Sequence, residues 1–471
     1  MPVNPEEITR KHRLALIIIA FAAFMASLDS TIVNISLPTI ASSFDVDISI
    51  VSWVVLAYLL VLAGLLLVFG KLGDLKGFRR IFIAGFVLFT IGSLLCGVSV
   101  TIYELIAFRA VQGIGGAALE ALAPAMILLY LPPSRRGWAL GILATVVSLG
   151  IAAGPILGGF ITEYLSWHWI FLINVPVGII AVLLAARYLP HDVPSGSPSG
   201  FDTAGAMLIL MALITLLFPL NQGLEFGWTS APILTSIFAS AVLWVLFFVH
   251  EHRCRAPLVD MRLFSSRNYL LGNAAGFLLM AVYNGLIFLL PFFLENVQGR
   301  STEIAGLLLA IPAVAMILVG PVSGALSDRY GSRLPTTCVA LIAAAAFFFF
   351  TRFSATTGLP VIIGTMLLIG FAIGLFFPPN MSQILGAGQK EGEGVASSVM
   401  MTVRNTGSVF GVAIFGTIVV QVVVGMMAYR HVITASPAVL SAGFSIAFSF
   451  GVVLCLAVAV ISSVNTGKRT H

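Results

Sequence analysis

Three ionisable residues lie in otherwise apolar parts of the sequence, and they are the first candidates for chemistry. Asp29 lies in FMASLDSTIV, and Arg109 and Glu120 lie in FRAVQGIGGAALEAL. A charge at the centre of a bilayer costs about 2.5–3.5 kcal/mol even on the gentlest scale, so an intramembrane charge indicates a function. A carboxylate can bind and release a proton, and a nearby arginine favours its ionised form. These residues therefore predict reversible proton binding inside a membrane.

Arg109 and Glu120 should lie on the same side of their helix. The step of eleven residues from one to the other turns about 1100°, close to three full turns, and rises about 16 Å. Gln112, Gly113 and Gly116 share this side. We therefore expect a polar helix face that lines a cavity, with Gln112 available to a bound substrate.

The roles of Asp29 and Glu120 leave alternatives open. Asp29 is either the main proton carrier or half of a permanent ion pair with Arg109 that only fixes packing. Burial would favour its neutral form and Arg109 its ionised form, so their balance could tune protonation. Glu120 is a second protonatable site or a counter-charge for cationic compounds, or it reaches towards the cytoplasm.

The composition places these residues in a membrane protein. The chain has 471 residues, of which 59% are hydrophobic and 9% charged, whereas about 25% of the residues in soluble domains are charged. A spanning helix needs about 20 mostly apolar residues. Fourteen segments qualify, and they leave no room for a soluble domain: 14–37, 50–70, 80–99, 103–130, 137–161, 168–189, 203–221, 230–250, 269–294, 303–326, 334–352, 359–380, 395–424 and 441–463. We interpret the first as a membrane helix rather than a cleaved signal.

The distribution of basic residues predicts the orientation. With the N-terminus inside, the inner segments hold 19 of the 24 Lys and Arg residues, and the outer loops hold only Arg300, Arg352 and Arg430. Short cytoplasmic loops carry such an excess, so we expect a cell-membrane protein with both termini in the cytoplasm. The same distribution explains the net charge of +5 without nucleic acid as a partner.

An internal repeat divides the chain. GKLGDLKGFRR (70–80) recurs as GALSDRYGSRL (324–334), so that Asp328 follows Asp74 by 254 residues. Gly154 and Gly159 similarly recur as Gly411 and Gly416. Parallel repeats are typical of transporters built from two similar halves. We predict a six-helix bundle in 1–190, two extra helices in 191–265 and a second six-helix bundle in 266–471.

Glycine and proline interrupt the fifth predicted helix, GILATVVSLGIAAGPILGGFI (141–161). Small residues spaced by four form a stripe that lets two helix backbones approach closely. Pro155 removes a hydrogen bond and permits a bend. Ordinary tight packing explains the stripe, but it does not require the pair Gly158-Gly159. The expected seam contains Gly141, Gly150, Gly154, Pro155, Gly158 and Gly159.

The repeated loop predicts a conformational gate. Asp74 follows a helix end, where a carboxylate can meet the positive N-terminus of another helix. A plain basic loop would explain the arginines but not the embedded acid or its repeat. The expected gate residues are Gly70, Asp74, Gly77, Arg79, Arg80, Asp328 and Arg333.

Aromatic and polar residues recur at helical spacing in the ninth predicted helix, where Asn284, Phe288, Phe292 and Glu295 share a face. Such a face could bind flat cations through their contact with the rings. Alternatively, the phenylalanines face lipid and Glu295 lies at the interface. Trp53 and Tyr58 have the same two interpretations, pocket or interface belt.

The quoted motifs resemble those of one transporter family. The 141–161 pattern is similar to the antiporter motif, motif C, of exporters in the major facilitator superfamily, and 70–80 resembles motif A. FRAVQGIGGA (108–117) resembles motif B. FMASLDSTIVNISLPTI (24–40), WHWIFLINVPVG (167–178) and FDTAGAML (201–208) resemble the drug:proton antiporters with fourteen helices. Three positions depart from that family's usual pattern: His168 replaces an arginine, Glu120 an apolar residue and Glu295 a glutamine.

The resemblance implies an all-α membrane protein with the major facilitator fold, fourteen transmembrane helices and alternating access. It implies that motif C packs as a bending seam and that Asp74 locks the inner side through the helix that contains VRNTGSVFG (403–411). Arg404 in that signature either pairs across the cavity or holds the inner gate.

The function that we predict is proton-coupled export of drugs. The substrates expected are amphipathic, hydrophobic or monovalent cationic compounds, because acidic residues inside the helices are few. The alternative is the same carrier dedicated to one lipid, siderophore, antibiotic or metabolite, and a third possibility is a channel or scaffold. The expected partners are drugs, protons and membrane lipids, and we expect a monomer.

The sequence does not predict catalysis or a cofactor. It contains no GxxxxGK[ST] motif for ATP binding and no catalytic triad, so we do not expect an enzyme. The four cysteines, Cys96, Cys254, Cys338 and Cys455, form no CxxC pair, and we expect no disulfide framework and no metal site.

Overall fold

The structure is a computed structural model that describes residues 10–132, 135–191, 202–254, 257, 259, 261–387, 393–426 and 435–464. In this part of the chain the fold is all-α. Its helices are α1 (Arg10–Phe44), α2 (Ile48–Lys76), α3 (Phe78–Gly97), α4 (Ile102–Tyr130), α5 (Arg136–Tyr164), α6 (Trp169–Leu172), α7 (Asn174–Tyr188), α8 (Thr203–Phe226), α9 (Ala231–Arg253), α10 (Arg267–Phe292), α11 (Thr302–Tyr330), α12 (Arg333–Phe350), α13 (Leu359–Ala387), α14 (Glu393–Met426) and α15 (Pro437–Ser463). A 3-10 turn spans Met261–Ser265, and a π-helical turn spans Phe293–Val297.

The described residues contain 14 helical segments that are long and apolar enough to cross a membrane. Each corresponds to one of the predicted spans, with α6 and α7 together forming the segment Trp169–Tyr188. Several helices extend beyond the predicted bounds, because hydropathy marks the lipid-facing length and not the polar turns at each end. The prediction of a fourteen-helix, all-α membrane protein is confirmed.

In both halves, glycines at the contact between two helices let their backbones approach closely. In the first half α5 packs along α1, where a Cβ at Gly150 would lie 2.8 Å from the carbonyl oxygen of Phe24. In the second half α14 packs along α10, where Gly407 faces the carbonyl oxygen of Phe277 in the same way. The missing side chains therefore permit backbone contact in both halves.

The repeated loop also has repeated geometry. Gly77 (φ 94°) ends α2, and Gly331 (φ 73°) ends α11. Both lie in the positive-φ region that glycine adopts without strain. Since the two glycines occupy matching positions of the repeat, the sequence similarity at 70–80 and 324–334 corresponds to a real structural repeat.

The halves meet where α5 ends and α11 begins. A Cβ at Gly159 would lie 2.7 Å from the carbonyl oxygen of Thr302. Glu163 Oε2 accepts a hydrogen bond from the Thr302 amide (3.0 Å), and Tyr164 donates one to Glu303 Oε2 (2.7 Å). The two halves therefore contact each other at the end of the bundle opposite the start of α1.

The extra helices α8 and α9 pack on the bundle as a pair. Ser240 Oγ of α9 donates to the Ala212 carbonyl of α8 (3.1 Å). The α8 residue Asn221 donates to Ser52 Oγ of α2 (2.8 Å), and the Leu220 carbonyl accepts from Thr417 of α14 (2.5 Å). Helix α8 therefore bonds to a helix of each half.

Candidate functional site

The carboxylate of Asp29 lies at the centre of a buried polar cluster. Its Oδ2 accepts a hydrogen bond from Arg109 Nη1 at 2.7 Å, and its Oδ1 accepts from Gln112 Nε2 at 2.8 Å and from Asn174 Nδ2 at 3.1 Å. Asp29 is 0% exposed. Three donors from α4 and α7 thus stabilise one charge on α1 where water does not reach it.

Arg109 has further partners that hold it in place. Its Nε donates to the Val54 carbonyl (3.0 Å) and its Nη1 also donates to Gln112 Oε1 (2.6 Å). The guanidinium lies 4.2 Å from the ring centroid of Tyr58. The contacts with Val54 and Tyr58 of α2 do not involve Asp29, so Arg109 would keep them if Asp29 became neutral. Arg109 therefore has other partners within the same cluster.

Local sequence explains how α4 carries this cluster. The helix begins with a capping box, in which Thr101 Oγ1 accepts from the Glu104 amide and Glu104 Oε2 accepts from the Thr101 amide. Such a box fixes the first turn of a helix. Gly92 of α3 then leaves room for the backbone of Gln112, which a Cβ would approach to 2.6 Å. The capped start and the close α3–α4 approach set the position of Arg109.

The predicted polar face of α4 is covered rather than open. A Cβ at Gly113 would lie 2.9 Å from the Tyr58 carbonyl oxygen, and one at Gly116 would lie 2.5 Å from its hydroxyl. Gln112 is fully buried and bonds to Asp29 and to Ser93 Oγ (2.7 Å). In this conformation α2 covers this face, and the role of Gln112 in substrate binding stays a prediction.

The fourth-helix acid, Glu120, contacts the opposite half. Its Oε1 accepts a hydrogen bond from Asn405 Nδ2 of α14 at 3.4 Å. The neighbouring Arg404 lies over the ring of Phe377, 4.1 Å from its centroid, and its Nε has no hydrogen-bond partner among the described residues. Glu120 of the first half therefore points towards the second half rather than to the molecular surface, and Arg404 of the second half lies next to its partner Asn405.

The aromatic face predicted on α10 lies inside the second half. Phe288 and Phe292 are 0% exposed, with ring centroids 5.7 Å apart. The alternative that they face lipid is therefore wrong, because α14 and α15 cover this side of α10. Asn284 donates to Ser408 Oγ of α14 (2.9 Å), and Glu295 lies half-buried in the π-helical turn.

The two α2 residues proposed for binding differ in their environments. Tyr58 is 1% exposed, and its hydroxyl has no hydrogen-bond partner among the described residues. It packs under Arg109 within the first half. Trp53 lies half-buried at the edge of the core cluster that contains residues of both halves. Tyr58 therefore belongs to the Asp29 cluster rather than to an interface belt.

The lock expected at motif A stays a prediction, because the residues just before α14 and most side chains of its first turns lie outside the described residues. Asp74 is exposed and makes no hydrogen bond or ion pair with a described residue. Arg79 instead donates to the Ala186 carbonyl and bonds to His191 Nε2 (2.7 Å), at the end of α7. Arg80 and Arg333 are exposed, Gly70 has no neighbour over its Cα, and the side chain of Asp328 lies outside the described residues.

The motif C glycines divide between two neighbours. Gly150, Gly154 and Gly158 face α1, where a Cβ at Gly158 would lie 2.7 Å from the Ile32 carbonyl oxygen. Pro155 and Gly159 face α11 of the other half. Gly141 has no neighbour within 4 Å and takes no part in the seam. The stripe therefore packs against the helix that carries Asp29.

Sequence reasoning missed two members of the Asp29 cluster. Asn174 and Ser93 are polar residues in apolar runs, and Asn174 lies in the quoted stretch WHWIFLINVPVG. A polar residue in such a run indicates a buried partner. His168, in the same stretch, stacks on Trp167 with ring centroids 3.6 Å apart. Burial lowers the pKa of the His168 imidazole and so disfavours its charged form.

Comparisons with known proteins agree with this architecture. The family model described as Major Facilitator Superfamily matches residues 19–412. The chain is 33% identical over 412 residues to the riboflavin transporter RibZ of Clostridioides difficile, covering 87% of this chain and 88% of that protein. It is 31% identical over 420 residues to the multidrug transporter protein MdtP of Bacillus subtilis, covering 89% and 77%. The solved structure of a bacterial homolog of the human lysosomal transporter Spinster, inward-facing and unoccupied, superposes with a TM-score of 0.68 at 17% identity, covering 97% of each chain.

Proposed function

The chain belongs to the major facilitator superfamily, with the fourteen spans of its drug:proton antiporter branch, and from this premise we propose that it is a proton-coupled exporter of amphipathic drugs. The family makes it a multi-pass membrane transporter of small molecules. The proposal adds the direction, the coupling ion and the substrate class, which are hydrophobic or monovalent cationic compounds. It also places both termini in the cytoplasm, because the basic residues lie on that side.

The observation that carries the proposal is the buried pair of Asp29 and Arg109. A carboxylate that is 0% exposed on one helix and bonded to donors on two others couples its protonation to the packing of those helices. When Asp29 binds a proton, its charge-assisted bonds to Arg109, Gln112 and Asn174 weaken. Helix α1 then loses part of its attachment to α4 and α7.

The glycine seam gives this change a direction. Helix α1 packs on the stripe of α5, and α5 packs on α11 through Gly159 and Pro155. A shift of α1 relative to α4 is therefore transmitted to the contact between the two halves opposite the start of α1. When this contact opens, Asp29 becomes accessible from the side opposite the N-terminus. When the contact closes and the other side opens, Asp29 becomes accessible from the cytoplasm, as alternating access requires.

Glu120 and Arg404 are the residues that we propose for substrate recognition. Glu120 belongs to the first half and reaches Asn405 of the second. When the halves separate, its carboxylate loses this partner and becomes available to a cationic compound. Phe377, under Arg404, supplies a flat apolar surface beside it, and Trp53 borders the same core.

Transport by the purified protein in proteoliposomes with an imposed pH gradient tests the proposal. We expect several chemically unrelated amphipathic compounds to be moved against their gradients, together with counter-movement of protons. If substrate accumulates to the same extent with and without the pH gradient, the proposed proton coupling is wrong. Asp45→Asn serves as the matched control for carboxylate variants, since Asp45 is exposed at the end of α1.

A second candidate is a carrier dedicated to one metabolite, and the 33% identity to a riboflavin transporter favours it. The same proteoliposomes distinguish the two. Transport of riboflavin alone, with no competition from a mixed drug panel, would establish the dedicated carrier, whereas mutual competition among unrelated compounds supports the multidrug exporter.

A further inference from the structure

Three side chains with different donor atoms meet at the end of the extra helical pair. Asp202 precedes α8, and its Oδ1 accepts a hydrogen bond from the Gly205 amide at 2.8 Å and bonds to His250 Nε2 at 2.7 Å. Cys254 follows the last residue of α9, one helical turn beyond His250. The donor atoms of Asp202, His250 and Cys254 all lie within 4.8 Å of one another.

The hydrogen bonds to Gly205 and His250 use only one of the two carboxylate oxygens of Asp202. Asp202 is 7% exposed, and its carboxylate interacts with the Cys254 thiol as well as with His250. Its second oxygen, Oδ2, is buried and accepts no hydrogen bond from a nitrogen or oxygen donor among the described residues. A helix cap needs only one carboxylate oxygen. The orphaned oxygen is therefore not explained by the start of α8, because a buried acceptor without a partner is costly.

A second carboxylate faces the same space. A Cβ at Gly205 would lie 2.5 Å from both Asp202 Oδ2 and Glu251 Oε1, so the two oxygens approach one point above the glycine. Glu251 is 2% exposed, and its other oxygen accepts a hydrogen bond from the Val259 amide at 3.1 Å. The two carboxylates therefore approach each other at the start of α8.

We propose that Asp202, His250 and Cys254 bind a divalent transition-metal ion, with zinc as the best fit. Zinc takes carboxylate oxygen, imidazole nitrogen and thiolate sulfur at about 2.0–2.3 Å, in tetrahedral geometry. The cysteine disfavours magnesium and calcium, which prefer oxygen ligands. Glu251, whose Oε1 approaches the same point above Gly205 as Asp202 Oδ2, would supply a fourth ligand directly or through a metal-bound water.

The site would join the start of α8 to the end of α9. His250 has a side chain that is 34% exposed, so an ion can enter from the solvent at this membrane surface. The sequence did not predict this site, because Asp202 and His250 are 48 residues apart and Cys254 belongs to no CxxC pair. Only the antiparallel packing of α8 and α9 brings the three together.

Equilibrium dialysis of the purified full chain, with its affinity tag removed, against buffered zinc tests the proposal. Wild-type protein should bind one equivalent per chain, and Cys254→Ser, His250→Gln and Asp202→Asn should each weaken binding by more than about tenfold. Asparagine keeps the cap of α8, so its effect separates metal binding from capping. His252→Gln and Cys338→Ser, two exposed positions, should bind zinc as the wild type does.

Cobalt provides a readout that does not depend on folding of the ligand variants. In wild-type protein it should give tetrahedral d–d bands and a thiolate-to-cobalt charge-transfer band, and zinc should slow maleimide labelling of Cys254 but not of Cys338. The proposal is overturned if wild-type protein binds no zinc, if the three ligand variants bind it normally, or if the cobalt spectrum lacks the thiolate band.

Discussion

Replacing Asp29 with asparagine tests the proposed coupling most directly. The substitution keeps the size of the side chain but removes its charge. In the wild type, Oδ1 accepts from Gln112 and Asn174 while Oδ2 accepts from Arg109. The amide group of asparagine offers a donor in place of one of these oxygens, so at least one of the three donors loses its acceptor.

The structure gives the expected magnitude. Removing one partner of a buried ion pair costs about 3–5 kcal/mol, because the remaining charge is left without compensation. Arg109 retains the Val54 carbonyl and the ring of Tyr58, which places the cost at the lower end, about 3 kcal/mol. At 1.4 kcal/mol per factor of ten, this is a shift of roughly a hundredfold in the equilibrium between packed and loosened arrangements of α1.

The assay compares two modes of transport in proteoliposomes. Uptake driven by a pH gradient should fall to background in Asp29→Asn, since the variant has no carboxylate to carry the proton. Exchange of labelled for unlabelled substrate without a gradient should persist, because this mode needs no net proton movement. Asp45→Asn should behave as the wild type in both modes, since an asparagine also tolerates the positive φ of Asp45 (50°).

The double variant Asp29→Asn/Arg109→Gln distinguishes a proton carrier from a packing ion pair. Removal of both charges should recover much of the lost thermal stability, as replacing a complete buried pair often does, but it should not recover coupling. Wild-type coupling in Asp29→Asn, or recovery of both stability and coupling in the double variant, would refute the reasoning.

Three further predictions follow from the structure. Gly158→Val should lower the melting temperature in detergent and abolish transport, because overpacking against the Ile32 carbonyl costs about 1–3 kcal/mol, whereas Gly141→Val should be tolerated; equal effects of both would contradict the seam. Glu120→Gln should reduce uptake of monovalent cations more than uptake of neutral compounds, measured side by side in one liposome preparation; an equal loss for both classes would exclude a counter-charge role. Burial lowers the pKa of His168, so the folded protein binds fewer protons at this residue than the unfolded protein does. The contribution of His168 to stability is therefore complete above the ordinary pKa of histidine and is lost as the pH falls below it. The melting temperature of His168→Gln should decline less on acidification than that of the wild type, and parallel pH profiles would count against this.

Hydropathy and spacing were sufficient for the architecture and for the central pair. All spans were predictable because each membrane helix must be long and apolar. The Asp29–Arg109 contact was predictable because two intramembrane charges of opposite sign need each other. Asn174, which donates to Asp29, was not predicted. Burying a neutral amide in a membrane costs less free energy than burying a charge, so an asparagine in an apolar run is a weaker sequence signal.

Features that depend on packing between distant segments were not predictable. A helical-wheel argument put Gln112 on the face of a cavity, but α2 covers that face, because Gly113 and Gly116 allow close approach of Tyr58. The lock expected at Asp74 likewise depends on packing between the two halves, and it stays a prediction. The π-helical turn at Phe293–Val297 likewise gave no periodic signature.

The double attachment of α8 constrains how the molecule can move. Its hydrogen bonds reach Ser52 on one side and Thr417 on the other, and a short polar bond does not stretch when its partners tilt apart. If the two bundles tilt relative to each other as we propose, α8 has to break one of these two hydrogen bonds and stay packed on the other bundle. We therefore expect the extra helices to slow this motion, compared with a carrier built from the two bundles alone.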